Sequence, residues 1–340
     1  MTSWRSLGRS KLLWPLVALG VLLLFNLLFT PHFFRLEIKQ GHLYGNLIDI
    51  LKNGAPIMLL AIGMTLVIAT HGIDISVGSV VAISSGVVAL LIGGDLKGAP
   101  KYPILAAMAA ALLVCILAGM WNGMLVSRIR MQPIIATLIL FVAGRGIAMV
   151  FTKSMIIWLY AKPFAILGQG YVLGIPFSIY IVLIVLLLTF IFTRRTAIGM
   201  FIEAVGINPT AARFSGIKAQ NIIFWVYTFS GLCAGIAGLI VCSTVMSADG
   251  NNAGKLFELD AILAVVLGGT SLNGGKFNLF GSVIGALIIQ TLTTTIYALG
   301  VPADVAPVVK AFVVWVACLM QSQRFRARIV RVFARRGVTT

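Results

Sequence analysis

Acidic side chains are scarce here: nine Asp and Glu against twenty-six Lys and Arg, with charged residues only 10% of 340. A soluble domain carries about 25%, so this chain cannot cover a water-exposed surface. With mean hydropathy +1.05, most of its outside must face lipid. The net charge of +17 sits in short clusters between apolar runs. That pattern orients a membrane protein, and no soluble domain is left to present a basic patch to nucleic acid. Cysteine is also sparse, with four residues. Cys115, Cys233, Cys242 and Cys318 lie inside apolar runs with no C-x-x-C spacing, as small buried hydrophobes do. His32, His42 and His71 are too scattered to form a metal cluster, so no metal site is expected.

What is abundant is long apolar sequence. About ten segments stand out: 12–29, 54–70, 76–93, 103–126, 133–152, 177–193, 220–245, 259–272, 278–299 and 304–321. A helix crosses a ~30 Å core in about 20 residues, and most of these come close. The segment 259–272 is short and reads as a half-helix or one extended by polar ends. The expected fold is an all-α polytopic membrane protein of about ten transmembrane helices. It forms one transmembrane domain over 1–340, with a cytoplasmic loop at 194–218 and a basic cytoplasmic tail at 322–340. The Thr-Pro-His-Phe-Phe after Phe29 offers no small-residue cleavage site, so the first span reads as uncleaved. Residues 46–53 put Asn46, Asp49 and Asn53 on one face, as a short interfacial helix would.

Lys and Arg in the loops set orientation. With the N-terminus inside, the cytoplasmic face holds Arg5, Arg9, Lys11, Arg128, Arg130, Arg194, Arg195, Arg213, Lys218, Lys276 and six arginines from Arg324 to Arg336, sixteen in all. The outer face holds eight: Arg35, Lys39, Lys52, Lys97, Lys101, Lys153, Lys162 and Lys255. The bias predicts both termini in the cytoplasm and an even number of spans.

Two stretches break the apolar pattern: 70–78, Thr-His-Gly-Ile-Asp-Ile-Ser-Val-Gly, and 268–275, Gly-Gly-Thr-Ser-Leu-Asn-Gly-Gly. If spans 2–5 and 7–10 are repeats, the two breaks read as occupying corresponding positions, and the five-span offset makes the repeats inverted, a transporter signature with Gly-interrupted helices. Non-helical backbone at membrane depth implies a cavity, whereas at the inner face both stretches are ordinary turns. The sequence leaves both readings open. Polar groups inside spans are costly and are functional candidates by default. The candidates for a translocation path are Thr65, Asp74, Ser76, Asn122, Thr137, Arg145, Asp260 and Asn273. Gln290 and the cluster Thr291, Thr293, Thr294 and Thr295 also suit hydroxyl-rich solutes. Against this stand backbone-bonding Ser and Thr, a structural role for Arg145, and N-capping by Asp74 and Asp260.

The loop 194–218 reads as one or two short amphipathic helices divided at Gly206-Ile-Asn-Pro209, with Asn208 as N-cap and Pro209 as first helical residue. Its exposed apolar groups suggest docking to a partner protein, and Glu203 is an acid that could face a basic partner.

Several motifs carry a resemblance over about 45–323. They include Leu60-Ala-Ile-Gly-Met-Thr-Leu-Val-Ile-Ala-Thr70 with Gly72-Ile-Asp-Ile-Ser-Val-Gly78, and Gly119-Met-Trp-Asn-Gly123. Further on come Ala136-Thr-Leu-Ile-Leu140 with Gly144-Arg-Gly146, Gly199-Met-Phe-Ile-Glu-Ala-Val-Gly-Ile-Asn208, Asn251-Asn-Ala-Gly254, and Glu258-Leu-Asp-Ala-Ile-Leu-Ala-Val-Val266. The chain resembles the membrane permeases of ribose-class ABC sugar importers, closest to the galactofuranose type. The resemblance implies a transport subunit rather than an enzyme, in a bacterial inner membrane. Its cargo would be a monosaccharide, pentose or galactofuranose-like. Its partners would be a periplasmic sugar-binding protein, a second permease (identical or related), cytoplasmic ABC ATPase subunits and membrane lipid. ATP and Mg²⁺ would sit on the ATPase and no cofactor on this chain. The ATPase-coupling role would fall on 199–216: Gly199, Glu203, Gly206, Asn208, Ala211, Arg213 and Gly216. Affinity would reside in the binding protein, so no tight sugar site is expected here.

The nearest approach to a phosphate loop, Gly269 to Phe277, has the wrong spacing and places Phe277 where Mg²⁺ chemistry needs Ser or Thr. The rival readings are an ion-coupled secondary transporter, which would want ionisable residues mid-membrane, and an ABC permease for another small solute such as a branched-chain amino acid.

Overall fold

The computed structural model describes residues 12–30, 33–39, 42–93, 100–302 and 305–321. The expected basic tail at 322–340 lies outside them, as do Arg5, Arg9, Lys11 and Lys97. Among the described residues the helices run α1 (Leu13–Phe29), α2 (Asn46–Ala69), α3 (Val77–Ile92), α4 (Ile104–Ser127), α5 (Pro133–Thr152), α6 (Lys162–Gln169) and α7 (Phe177–Arg195). They continue as α8 (Ile198–Ile207), α9 (Pro209–Phe214), α10 (Ala219–Val245), α11 (Phe257–Leu267), α12 (Leu279–Ala298) and α13 (Ala306–Gln321). Six of them, α2, α4, α5, α7, α10 and α12, are long and apolar enough to cross a membrane. The chain is a multi-pass membrane protein.

The helices divide into a buried set and a lipid-facing set. The apolar stretch of α2 is 83% buried and those of α10 and α12 are 67% buried, against 22% for α4. α4 shows why. Ala107, Ala111, Cys115, Gly119 and Asn122 form one buried stripe of small and polar residues, while Leu105, Leu113, Leu117 and Trp121 point outward. With lipid as apolar as leucine, helices associate where small residues let backbones approach. A Cβ on Gly119 would lie 3.1 Å from the Gly231 Cα, and one on Gly123 would lie 3.2 Å from the Phe224 Cα. The Gly119-Met-Trp-Asn-Gly123 motif is therefore the contact between α4 and α10.

Two expectations are amended, and of the two readings of the short eighth segment the half-helix holds. Residues 46–53 are the first turns of α2 and not a separate interfacial helix. Ile48 and Ile50 are buried, and Gly54 packs against Gln290 of α12, so tertiary packing carries the helix through Pro56. The short eighth segment is α11, whose 11 residues span about 16 Å, half of a ~30 Å core. The all-α class gains three small antiparallel pairs: β1 (Glu37–Lys39) with β2 (His42–Tyr44), β3 (Ile157–Trp158) with β6 (Ser247–Ala248), and β4 (Tyr171–Val172) with β5 (Ile175–Pro176). All lie at the helix ends remote from α8 and α9.

The two breaks are also not repeat counterparts. Counted with a five-span offset, the turn between α2 and α3 corresponds to residues 246–256 between α10 and α11, and 268–278 corresponds to the α3–α4 connection. Instead, the breaks touch each other. The Gly275 N–H donates to the Ala69 carbonyl (2.9 Å), and His71 Nδ1 lies 2.9 Å from the Asn273 carbonyl oxygen.

Candidate functional site

The loop 194–218 folds as its sequence predicts. Asn208 caps α9, its Oδ1 accepting from the N–H groups of Thr210 and Ala211 at 3.0 Å, with Pro209 as first helical residue. Ala212 is buried against Val205 and Ala219, which folds α9 back onto α8 and α10. Glu203 is half-buried and makes no ion pair among the described residues. Ala211 and Arg213 are exposed, and Gly216 turns the chain at φ +82°. Outward from this corner point Phe214 (89% exposed) and Ile207 (71%). Beside them Arg128, Arg213 and Lys218 line a cleft of about 290 Å³. Arg128 Nη2 donates to Asn221 Oδ1 (2.8 Å), bringing the α4–α5 turn into the same patch. The patch is basic with apolar knobs.

The inner side of the loop is wedged into the helix ends. A Cβ on Gly199 would overlap the Thr193 carbonyl. One on Gly206 would overlap the Ala69 carbonyl and come within 2.6 Å of the Gly275 amide. Hence α8 abuts the exit of α2 and the turn before α12, at the point where both breaks meet. α8 thus meets the end of α7, the end of α2 and the turn before α12 through backbone contacts.

The eight path candidates fall into separate places. Asp74, Ser76 and Asn122 form a buried hub with Ser230 of α10. Asp74 Oδ1 accepts from the Ser76 hydroxyl (2.6 Å), the Ser76 N–H (3.1 Å) and Asn122 Nδ2 (3.4 Å), while Asp74 Oδ2 accepts from the Ser230 hydroxyl (3.0 Å). Asn122 Nδ2 also donates to Ser76 Oγ (2.8 Å). Thr137 stands alongside, accepting from the Ile75 N–H (3.3 Å). The hub ties the α3 start to α4 and α10, more than the N-cap the sequence allowed. It is not fully satisfied: Asn122 Oδ1 and the Tyr227 hydroxyl find no partner among the described residues.

Thr65 lies elsewhere, with Ser282 of α12 (2.7 Å). Arg145 donates to the Ala253 carbonyl (2.6 Å) and fastens the 249–256 segment to α5. In that segment burial would raise the Asp249 carboxyl. Hydrogen bonds from the Asn252 side chain and the Asn251 and Asn252 N–H groups, with the Arg145 charge, hold it below the ordinary aspartate value. Asn273 belongs to the contact of the two breaks.

Asp260 pairs with Lys310 of α13, whose Nζ reaches Oδ1 at 3.1 Å and Oδ2 at 3.0 Å. This pair borders a cavity of about 220 Å³ between α2, α11, α12 and α13. Sequence reasoning missed Ser230, Tyr227, Ser282 and Arg128. Tyr227 and Ser230 share a face of α10 at a spacing of three, the one local signal that could have marked them.

Comparison with known proteins decides the family. Residues 46–318 match the family described as branched-chain amino acid transport system / permease component. The chain belongs to this family. As a permease component it is a transport subunit and not an enzyme. It is 48% identical over 327 residues to the galactofuranose transporter permease protein YtfT of Escherichia coli K12, covering 95% of this chain and 94% of the relative. The fructose import permease protein FruF of Bifidobacterium longum is 42% identical, with 94% and 90% covered. The ribose import permease protein RbsC of Escherichia coli K12 is 38% identical, with 91% and 93% covered. No solved structure matches the chain.

Proposed function

We propose that this permease is the membrane subunit of an ATP-driven importer for a monosaccharide, pentose or galactofuranose-like. It works with a second permease, a sugar-binding protein on the outer side and cytoplasmic ABC ATPase subunits that hold the ATP and Mg²⁺. The observation that carries the reading is the α8–α9 corner. It presents Phe214 and Ile207 outward, while Gly206 is seated on the Ala69 and Gly275 backbone, so force from a docked ATPase reaches α2 and α12 directly. The full-length likeness to three sugar permeases supports the cargo class over a branched-chain amino acid, and their names as transporter and import subunits disfavour an ion-coupled transporter.

The loop charges support cytoplasmic termini in a bacterial inner membrane. Ten spans and an inverted repeat fit the packing. α10 packs on α3 and α4 of the first half, and α2 packs on α11 and α12 of the second. Each half thus lends its first helix to the other.

The test is co-expression with the neighbouring ATPase and purification in mild detergent. Phe214→Asp places a charge in an apolar contact. A truncated hot-spot residue costs at least about 2 kcal/mol, or about 30-fold in affinity. The expected result is release of the ATPase by Phe214→Asp, with Glu203→Arg weakening it further. Wild-type stoichiometry in both variants sinks the docking assignment.

A further inference from the structure

The Asp260–Lys310 cavity is at the opposite ends of the helices that meet the coupling loop. α2 and α12 contact the loop junction through Ala69 and the 268–278 turn, and border the cavity through Asn53 and Thr293. If the loop is cytoplasmic, the cavity is on the outer side. Its volume of about 220 Å³ is small beside the ~300–1,000 Å³ of sites for drug-sized ligands, and suits one sugar ring.

Its chemistry points to a polyol. Gln290 is 9% exposed and lines the cavity, yet its amide makes no hydrogen bond among the described residues. The amide is accessible from the cavity, where Gln290 offers both donors and an acceptor. Its neighbours behave differently: Thr291 donates to the Leu287 carbonyl, and Thr295 is engaged with Asn26. Thr293 donates inward to Ile289, which leaves its oxygen free to accept from the cavity. Asn53 brings a second amide at the rim, and Lys310 keeps a third ammonium donor after binding both Asp260 oxygens. Ile57 and Ile296 supply an apolar wall. A sugar ring has this same division into hydroxyl edge and C–H face.

We infer that this cavity is a low-affinity receiving site for a single furanose or pyranose ring arriving from the outer face. The Gln290 and Asn53 amides and the Asp260–Lys310 pair would read its hydroxyls. This rests on the sugar-importer reading and adds the place where the sugar first touches the permease.

The test uses the complete importer, with binding protein, in proteoliposomes and ¹⁴C-labelled ribose, fructose and galactose in turn. Gln290→Leu keeps the bulk and removes the amide. Loss of one buried hydrogen-bonding group is expected to cut sugar uptake per ATP hydrolysed about tenfold. Asn53→Ala, at an exposed position, should also reduce this ratio and keeps the test decisive if Gln290→Leu fails to assemble. A wild-type ratio in the variant that assembles, while the wild-type complex carries sugar, overturns the receiving site and leaves the importer reading standing. If the wild-type complex hydrolyses ATP but moves none of the three sugars, the sugar reading falls and this inference with it.

Discussion

Gly119→Leu is expected to destabilise the protein by about 3 kcal/mol, the upper end of the overpacking range. The obstacle is backbone. A Cβ at 119 would lie 2.7 Å from the Tyr227 carbonyl oxygen and 3.1 Å from both the Thr228 and Gly231 Cα atoms. A side chain could rotate away, but a helix axis must move bodily, because close-packed interiors have low compressibility and transmit strain. Moving α10 off α4 also stretches the hub, since Asn122 on α4 and Ser230 on α10 both donate to Asp74. Gly146→Leu is the control: a Cβ there meets nothing within 4 Å. It should be neutral or slightly stabilising, because glycine is a poor helix former. Thermal unfolding of both variants in the same detergent, followed by size-exclusion recovery, gives the comparison. Equal losses for the two would contradict the packing account.

Lys310→Met should cost a similar amount by a different route. Lys310 and Asp260 are largely buried, with side chains 17% and 10% exposed, and the ammonium binds both carboxylate oxygens. Removing one member of a buried pair strands the other charge, at about 3–5 kcal/mol. Replacing both with apolar groups is far milder, because the desolvation penalty disappears along with the attraction. The double variant Lys310→Met, Asp260→Leu should therefore recover most of the lost thermal stability. The same heat-recovery assay reads this out. A double variant worse than the single would mean that the pair is held for its geometry and not merely as a neutralised charge.

Local features of the fold were legible because their causes are local. Apolar runs place α4, α5 and α12 within a residue or two of where they lie, and Asn208-Pro209 encodes its own cap. The amendments share a physical cause: long-range packing overrides local pattern. The polar face of 46–53 looks interfacial in isolation. Its fate is set by Gly54 against Gln290, more than two hundred residues away. The site was less legible for the same reason. Asp74 and Asn122 were recognisable as costly residues in apolar surroundings, but their convergence with Ser230, 156 residues from Asp74, depends on how α4 and α10 pack. Asp260 read as a path residue or an N-cap, and its pairing with Lys310 depends on how α11 and α13 pack. The α8–α9 corner was legible in its local geometry, because the Asn208-Pro209 pair both ends one short helix and starts the next.

The most direct test of the account is uptake of labelled monosaccharide into proteoliposomes holding either this permease alone or the assembled importer with its ATPase, second permease and binding protein, each with and without ATP. The account predicts uptake only in the assembled importer supplied with ATP. Solute uptake by the permease alone, driven by an ion gradient and indifferent to ATP, would contradict it.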